Sequence, residues 1–395
     1  MNILFLHPNF PAQFYNVAQQ SASNNHSVKF LCQTHYGRTL KGVERVTLKN
    51  KAGHEELNRL KLPINQRTEV LANQYRDGFI AINKTGWIPD IAISHSGWGC
   101  GTYIKEIWPR TKQISYLEWW FDPQSSFFNY DSSNPYLQSL RSSISKSWLR
   151  NQNVALELSV AEHIISPTLW QKSQLPESLR ARCHVIFDGI DLRRFKPIEI
   201  LHEKRENILT YGTRGMDPLR CFPQLIKALP KILSENSELH LEIAGVDEAF
   251  YGNKLSPQGD SWGKWAQNYL KKAGISEKVS WIGRLPPGKY ENWLKSSGCH
   301  IYLTHPFVAS WSLIESYCCG VPIVASNVEP VREMCMPPEQ VVLSDHRFSD
   351  QLSEAIVDTI KSSSRVDRSV TAHHRKVDRF GIDKSWVKWR SVAGL

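Results

Sequence analysis

The chain has 395 residues, more than one ordinary core serves and enough for two domains of usual size. Hydrophobic residues make up 41% and charged residues 22%, which excludes a disordered chain, and no apolar run approaches the roughly 20 residues of a membrane-spanning helix. The formal charge of +10 favours an anionic partner (a nucleotide diphosphate, an anionic lipid surface or nucleic acid), but Lys and Arg are spread along the chain rather than gathered in a tract, which ranks nucleic acid last.

The first apolar run, Ile3–Leu6, meets His7-Pro8-Asn9 at once and has no basic leader, so it reads as a buried strand and not as a signal peptide. The 8 cysteines are accordingly expected as reduced thiols in the cytoplasm; none forms a Cys-x-x-Cys pair, so no metal site is expected. A helix is predicted from about Ala12 to Ser21, a strand over Val28–Cys32 and a helix over Arg67–Ile82, where Val70, Leu71, Tyr75, Phe79 and Ile82 fall near helical spacing. Strands Ile91–Ser94, Gln113–Leu117 and His163–Ile165 follow, with helices over Thr102–Trp108 and Leu137–Glu162 and a helix start at Ser166-Pro167-Thr168.

The alternation restarts after Asp188–Pro197. Strands are expected at Ile208–Tyr211, Leu239–Ala244, Val279–Ile282, His300–Leu303 and Pro322–Ala325. Helices are expected at Leu219–Leu233, Tyr290–Lys295, Ser312–Cys318 and Phe348–Ile360, with a loose polar stretch over Ser362–His374. Strand–helix alternation of this kind predicts parallel sheets covered on both faces, hence an α/β protein of two doubly wound Rossmann-like domains. The boundary is expected near Phe195–Leu201, giving domains 1–196 and 197–379, with the aromatic tail from about 380 to 395 packing back on the first.

In such sheets ligands sit at the carboxyl ends of strands, where helix N-termini offer N–H groups to anions. The most unusual junction is His300-Ile301-Tyr302-Leu303-Thr304-His305-Pro306-Phe307-Val308-Ala309-Ser310-Trp311-Ser312-Leu313-Ile314-Glu315. Ser310 or Ser312 suits a helix cap with neighbouring amides turned to a phosphate. From residue type alone, Glu315 suits either the two hydroxyls of a ribose or the helix dipole. A second junction, Tyr211-Gly212-Thr213-Arg214-Gly215-Met216-Asp217-Pro218-Leu219-Arg220, offers two guanidinium groups, which stabilise the charge built by a departing nucleoside diphosphate.

The run from Glu315 through Cys319-Gly320-Val321-Pro322-Ile323-Val324 to Glu329-Pro330-Val331-Arg332-Glu333 resembles the donor-site signature of the family 4 glycosyltransferases, retaining enzymes with two Rossmann-like domains facing across a cleft (the GT-B architecture). The Pro-Phe-Val-x-Ser-Trp-Ser form of the preceding loop resembles one branch of that family. The resemblance implies that Glu315 binds the donor ribose, that the amides of Ser310, Trp311 and Ser312 meet the diphosphate, and that Arg214 and Arg220 reach it too. Phe307 stands where the family carries a glutamate touching the donor sugar. The segment Val185–Pro197 matches the family's interdomain crossing, and no Asp-x-Asp occurs, in keeping with a diphosphate handled without metal or other cofactor.

The first domain is expected to hold the acceptor. Its first loop lacks glycine, which leaves Gln13 or the Ala12 amide to face the donor phosphates. His95, in the loop His95-Ser96-Gly97-Trp98-Gly99-Cys100-Gly101, either positions an acceptor hydroxyl or is an ordinary loop histidine. Glu118 occupies the place where many family members have a histidine near the reacting sugar, and Trp98, Trp119 and Trp120 offer stacking faces to an acceptor. The function expected is retaining transfer of a sugar from a nucleotide sugar to a hydroxyl of a polysaccharide or lipid-linked glycan, with peripheral contact to an anionic inner-membrane face. The alternatives are a nucleotide-sugar epimerase and a non-catalytic nucleotide- or glycan-binding module.

Overall fold

A computed structural model describes residues 1–48, 62–137, 142–197, 206–334, 340–362 and 377–395. Two compact units emerge, each an α/β layer structure. The first comprises Met1–Pro123, Ser145–Gly189 and Ile382–Leu395; the second comprises Gln124–Ile144 and Ile190–Gly381.

The first unit is a parallel sheet of seven strands: β1 (Asn2–Leu6), β2 (Ser27–Cys32), β3 (Val43–Thr47), β4 (Ile91–His95), β5 (Lys112–Tyr116), β6 (His163–Ser166) and β7 (Cys183–Val185). Their order is β3-β2-β1-β4-β5-β6-β7. The central strands are apolar on both faces because both are covered. Ile3 and Phe5 of β1 pack with Phe30, Ile93 and Trp386, whereas Leu4 and Leu6 point to the opposite layer with Tyr75 and Phe79. Trp386 and Trp389 come from the helix Ile382–Ala393, and the Lys112 ammonium donates to the carbonyls of Val392 and Ala393 at 2.9 and 3.0 Å. Between β1 and β4 the strand order reverses, so the loops after these two strands diverge and leave a crevice at their carboxyl ends.

The second unit is a parallel sheet of six strands: β8 (Ile208–Gly215), β9 (His240–Val246), β10 (Val279–Gly283), β11 (Cys299–Tyr302), β12 (Ile323–Ser326) and β13 (Val341–Ser344). The order is β10-β9-β8-β11-β12-β13, with the reversal between β8 and β11. Its core joins Leu209, Tyr211 and Ile243 of the sheet to Leu225 and Leu229 of the helix Phe222–Glu235 and to Trp262 of the helix Trp262–Lys272.

Several expectations change. The helix predicted over Leu137–Glu162 is two helices, Ile144–Leu149 and Asn151–Val160, with a turn at Arg150; residues 138–141 lie outside the described residues. The polar stretch Ser362–His374 also lies outside them beyond Ser362, as do positions 198–201 of the expected boundary. The unit boundary falls between Gly189 and Ile190. Gly189 has φ +86°, and a Cβ there would sit 2.9 Å from the Ile382 backbone, so the tail helix packs directly on this glycine.

Segment Gln124–Ile144, placed by sequence order within the first domain, belongs to the second unit. The reason is burial. Tyr136 is 8% exposed, with its ring edge-on to Trp262 at 5.3 Å and its carbonyl accepting from the Asn253 amide at 3.0 Å. Phe127 and Phe128 are buried, and the Phe127 carbonyl meets His305 Nε2 at 2.7 Å. Burial drives the His305 imidazole down to a pKa of about 4, so it stays neutral and donates that bond at all physiological pH values. Tyr136→Ala is therefore expected to destabilise the second unit by about 2–4 kcal/mol. A melting transition unchanged within a degree would show that the segment contributes nothing to that core.

Candidate functional site

In the second unit the reversal between β8 and β11 places two loops side by side, and the expected donor residues lie on both. After β8, Asp217 caps a short 3-10 turn, Pro218–Arg220, by accepting from the Leu219 amide at 2.9 Å. Arg220, half-buried, projects from this turn toward the end of β11. It donates to Thr304 Oγ1 at 2.9 Å and lies 3.5 Å from the Tyr302 hydroxyl. The Ser310 amide donates to that same hydroxyl at 2.9 Å. The buried Tyr302 phenol thus joins Arg220 to the start of the helix Trp311–Cys318.

Arg214, at the end of β8, is exposed, with its guanidinium 4.3 Å from the centre of the Phe250 ring. Arg220 lies 5.7 Å from the Tyr251 ring. Neither arginine has a carboxylate within ion-pair distance among the described residues, and the nearby Asp217 carboxylate acts on Arg220 only through space, so both guanidinium groups at the carboxyl edge of the sheet keep N–H donors free of an ion pair. Such an arrangement is chemically suited to an anion with several oxygens.

The helix start differs in detail from the expectation. Ser310 is the N-cap, its Oγ accepting from the Ser312 amide at 3.3 Å and lying 2.9 Å from Ser312 Oγ. The Ser310 amide is taken by Tyr302, so the amides of Ser310 and Ser312 are satisfied inside the protein. A ligand oxygen must displace these partners to use them. Trp311, the first helical residue, is 40% exposed. Phe307 packs against Tyr251 at 5.6 Å and Phe127 at 5.2 Å, so an aromatic wall replaces the carboxylate that family resemblance leads one to look for at that position.

One turn further, Glu315 Oε2 accepts a hydrogen bond from the Tyr290 hydroxyl at 2.8 Å. Burial pushes the Glu315 carboxyl up to about 7, against the pull of this bond and of Arg194. Burial and the charge of Glu315 push the Tyr290 phenol well above its ordinary value, so it remains a donor. Tyr290 sits on the helix Lys289–Lys295, whose next residue, Glu291, pairs with Arg194. Tyr290, the hydrogen-bond partner of Glu315, was not singled out from the sequence; the only signal was its place in a predicted helix following a Gly-containing turn.

In the first unit the loops after β1, β4 and β5 bring a second cluster together. His95, the last residue of β4, is 3% exposed. Its Nδ1 lies 3.1 Å from the Ser96 carbonyl and its Nε2 3.4 Å from Glu118 Oε2. With Nδ1–H turned to that carbonyl, Nε2 stands as an acceptor beside the Glu118 carboxylate. His7, directly after β1, packs edge-on to His95 at 4.9 Å and accepts from the Asn9 amide through Nδ1 at 2.8 Å, which leaves its proton on Nε2. The His7 position follows an apolar strand just as His95 does, and that shared placement was the available signal. Trp98, half-buried, lies 6.3 Å from His95. Gln13 is half-buried in the 3-10 turn Ala12–Phe14, beside this cluster through Phe14.

The three tryptophans divide. Trp98 and Trp119 are half-buried, Trp119 lying 6.4 Å from Trp170. Trp120 is 5% exposed and packs with Leu117, Leu158 and Ile164. The expected stacking role is therefore corrected for Trp120, whose faces are consumed by the core.

Beneath the glycine loop lies a buried acid. Glu157, from the helix Asn151–Val160, is fully buried; its Oε1 accepts from the Gly99 amide at 3.1 Å and its Oε2 lies 3.4 Å from Ser94 Oγ. A Cβ at Gly101 would stand 2.3 Å from Ser94 Oγ and 2.8 Å from Glu157 Oε2, so the loop can fold over this carboxyl only with glycine there. Burial pushes Glu157 up to about 8.

Among the described residues there is no group of three or more His, Cys, Asp and Glu side chains placed to hold a metal ion, and no helix long and apolar enough to cross a membrane. Residues 24–195 match the profile of the glycosyl transferase family 4 group, and residues 197–375 that of the glycosyl transferases group 1. Among curated protein sequences no match to the chain is found. Solved structures of like fold include HepE of Anabaena in complex with UDP and glucose, at 14% identity and a TM-score of 0.68 with 100% of each chain covered. Sucrose-phosphate synthase of Thermosynechococcus elongatus matches at 13% identity and a TM-score of 0.72, covering 99% of this chain and 98% of that one. A mutant of TarM from S. aureus, in complex with fondaparinux, α-GlcNAc-glycerol and UDP, matches at 9% identity and 0.67 with 100% of each chain covered.

Proposed function

Because the chain belongs to the glycosyltransferases, its halves matching family 4 and group 1 over residues 24–195 and 197–375, we propose that it moves a sugar from a nucleotide sugar to an acceptor hydroxyl with retention of anomeric configuration. The observation that carries this reading is the convergence of Arg220, Tyr302 and the Ser310 helix start at the switch of the second sheet, with Arg214 beside it. The two guanidinium groups take the diphosphate and stabilise the charge that accumulates as it leaves. They do so without a metal ion. Glu315 accepts the ribose hydroxyls, held in place by Tyr290. Phe307 and Tyr251 give the sugar an apolar wall, and the helix start at Ser310, Trp311 and Ser312 borders the phosphates.

In the first unit, the His95–Glu118 pair orients the acceptor hydroxyl and Trp98 and Trp119 stack on its rings, while Gln13 contributes to phosphate binding. The hydroxyl attacks on the face the diphosphate leaves, and the departing phosphate receives its proton, so no protein nucleophile is required. UDP-bound HepE and TarM, the latter with glycan ligands, support a uridine nucleotide donor and a glycan acceptor. The acceptor is a polysaccharide or lipid-linked glycan, and the +10 charge favours peripheral contact with an anionic membrane at the cytoplasmic face.

The test is a panel of nucleotide sugars, with chelator present, scored for thermal stabilisation and slow hydrolysis. One donor should do both; if none shifts the melting temperature, the donor-site assignment fails. The pH dependence is also specified. Glu315 titrates near 7 and, with Tyr290 already donating to it, accepts both ribose hydroxyls fully only when ionised, so donor affinity should be about tenfold weaker at pH 6 than at pH 8. Glu315→Gln should bind weakly at both. A nucleotide sugar is the right probe, since a free terminal phosphate titrates in the same range. Wild-type affinity that does not vary with pH would remove Glu315 from the ribose site.

A further inference from the structure

Asp217 is 1% exposed and accepts backbone amides from two separate stretches of the second unit. Oδ1 takes the Leu219 amide at 2.9 Å, within the turn that carries Arg220. Oδ2 takes the amides of Phe250 and Tyr251 at 2.8 and 2.7 Å, and the Gly252 amide lies 3.1 and 3.2 Å from the two oxygens. Four N–H donors thus converge on one carboxylate, joining the loop after β8 to the loop after β9. The approach is close: a Cβ at Gly252 would stand 2.8 Å from Asp217 Oδ1, and one at Gly215 would stand 2.1 Å from the Glu248 carbonyl. The second loop is pinned at its far end as well, where Asp247 accepts from Ser261 Oγ at 2.5 Å and the Gly263 amide at 2.6 Å.

The clamped residues are the two whose rings face the arginines, Phe250 under Arg214 and Tyr251 under Arg220. Both rings are exposed, at 40% and 42%, so neither is held there by burial. A cation over an aromatic face is attracted to it, so each ring restrains the guanidinium above it, Arg214 at 4.3 Å and Arg220 at 5.7 Å. We infer that Asp217 is a positioning residue, which by fastening Phe250 and Tyr251 to the β8 loop restrains Arg214 and Arg220 for capture of a nucleoside diphosphate. The inference rests on the donor reading above and extends it to a residue that touches no ligand. Asp217 keeps its negative charge while its oxygens are occupied by backbone amides, so its part here is to hold the two loops together.

The experiment measures calorimetric binding of UDP, GDP and ADP to the full chain and to four variants: Asp217→Asn, Phe250→Ala, Arg214→Ala and Phe250→Ala/Arg214→Ala. The amide offers one acceptor oxygen to four donors, so the nucleotide that binds wild type should bind D217N about tenfold or more weakly. F250A keeps the clamp and removes one exposed ring; it should weaken binding about three- to tenfold, and the double variant should be no weaker than R214A alone, since the ring acts through that guanidinium. If D217N does not fold, this non-additivity decides. Wild-type-like affinity in D217N, or full additivity of F250A and R214A, overturns the positioning role while leaving the donor site standing. Absence of binding by all three nucleotides to wild type overturns the donor reading and this inference with it.

Discussion

Arg220→Ala is expected to lower kcat/KM for the nucleotide sugar by about 10²–10³-fold, the loss typical when a fixed donor to developing charge is removed from a site. Arg220 is half-buried, tied to Thr304 and Tyr302 and faced by Tyr251, so its guanidinium is already oriented before substrate arrives. Arg220→Lys should recover little, because an ammonium cannot hold Thr304 and present a parallel pair of donors at once. Arg214→Ala should cost about tenfold, since that side chain is exposed and the solvent screens part of its charge. Initial rates with varied donor, read beside melting temperatures, separate lost chemistry from lost fold. R220A with activity within threefold of wild type would move the diphosphate elsewhere.

The second large effect concerns stability and its pH dependence. Glu157 keeps its proton to about pH 8 in the folded protein, whereas in the unfolded chain it ionises near 4.5. Between those values the unfolded state has released a proton that the folded state retains, so each pH unit costs the folded state about 1.4 kcal/mol from this group. The penalty begins above pH 4.5, grows toward pH 8 and then levels. Glu157→Gln preserves an acceptor for the Gly99 amide and cannot ionise, so it should raise stability at pH 8 by on the order of 2–4 kcal/mol and give no gain at pH 4.5. The melting temperature at pH 8 should rise by about 5–10 °C, with the His95 loop and the activity intact. Glu157→Ala should do the reverse, leaving the Gly99 amide without its acceptor. Equal melting temperatures for wild type and E157Q at pH 8 would mean that the carboxyl is ionised and accommodated.

Much of the fold was legible because the central strands of both sheets are covered on two faces, so Ile3–Leu6, Ile91–Ser94 and His300–Leu303 stand out as apolar runs. The peripheral strands were not. Val43–Thr47 is a half-exposed edge whose Glu44 and Arg45 hide any apolar run, and Cys183–Val185 and Val341–Ser344 are only three and four residues long. The helix Trp262–Lys272 escaped because lysines interrupt its apolar stripe, although Trp262, Trp265, Ala266 and Leu270 follow helical spacing. In the site, local motifs marked Arg214, Arg220, Ser310 and Glu315. Residues that support them from a distance left no local trace: Tyr290 meets Glu315 across 25 positions, and Asp217 holds amides more than 30 positions away. Trp120 shows the converse, since an aromatic beside a candidate acid reads identically whether it faces a ligand or a core.

The interleaving of the two units also sets an order on biosynthesis. The chain leaves the first unit at Pro123, returns at Ser145, leaves again at Gly189 and returns at Ile382. A nascent chain released as far as Gly189 has all seven strands of the first sheet but lacks Trp386 and Trp389, which fill the layer over Ile3, Phe5 and Ile93. Phe10, Phe14 and Val17 already cover part of that layer, but it lacks its last two rings until residues 190–381 have been made. The second unit, by contrast, carries Tyr136 and Phe127 in advance, waiting for a core not yet synthesised. Translation therefore completes the second sheet's unit first, and the half that is made earlier is the half that closes last.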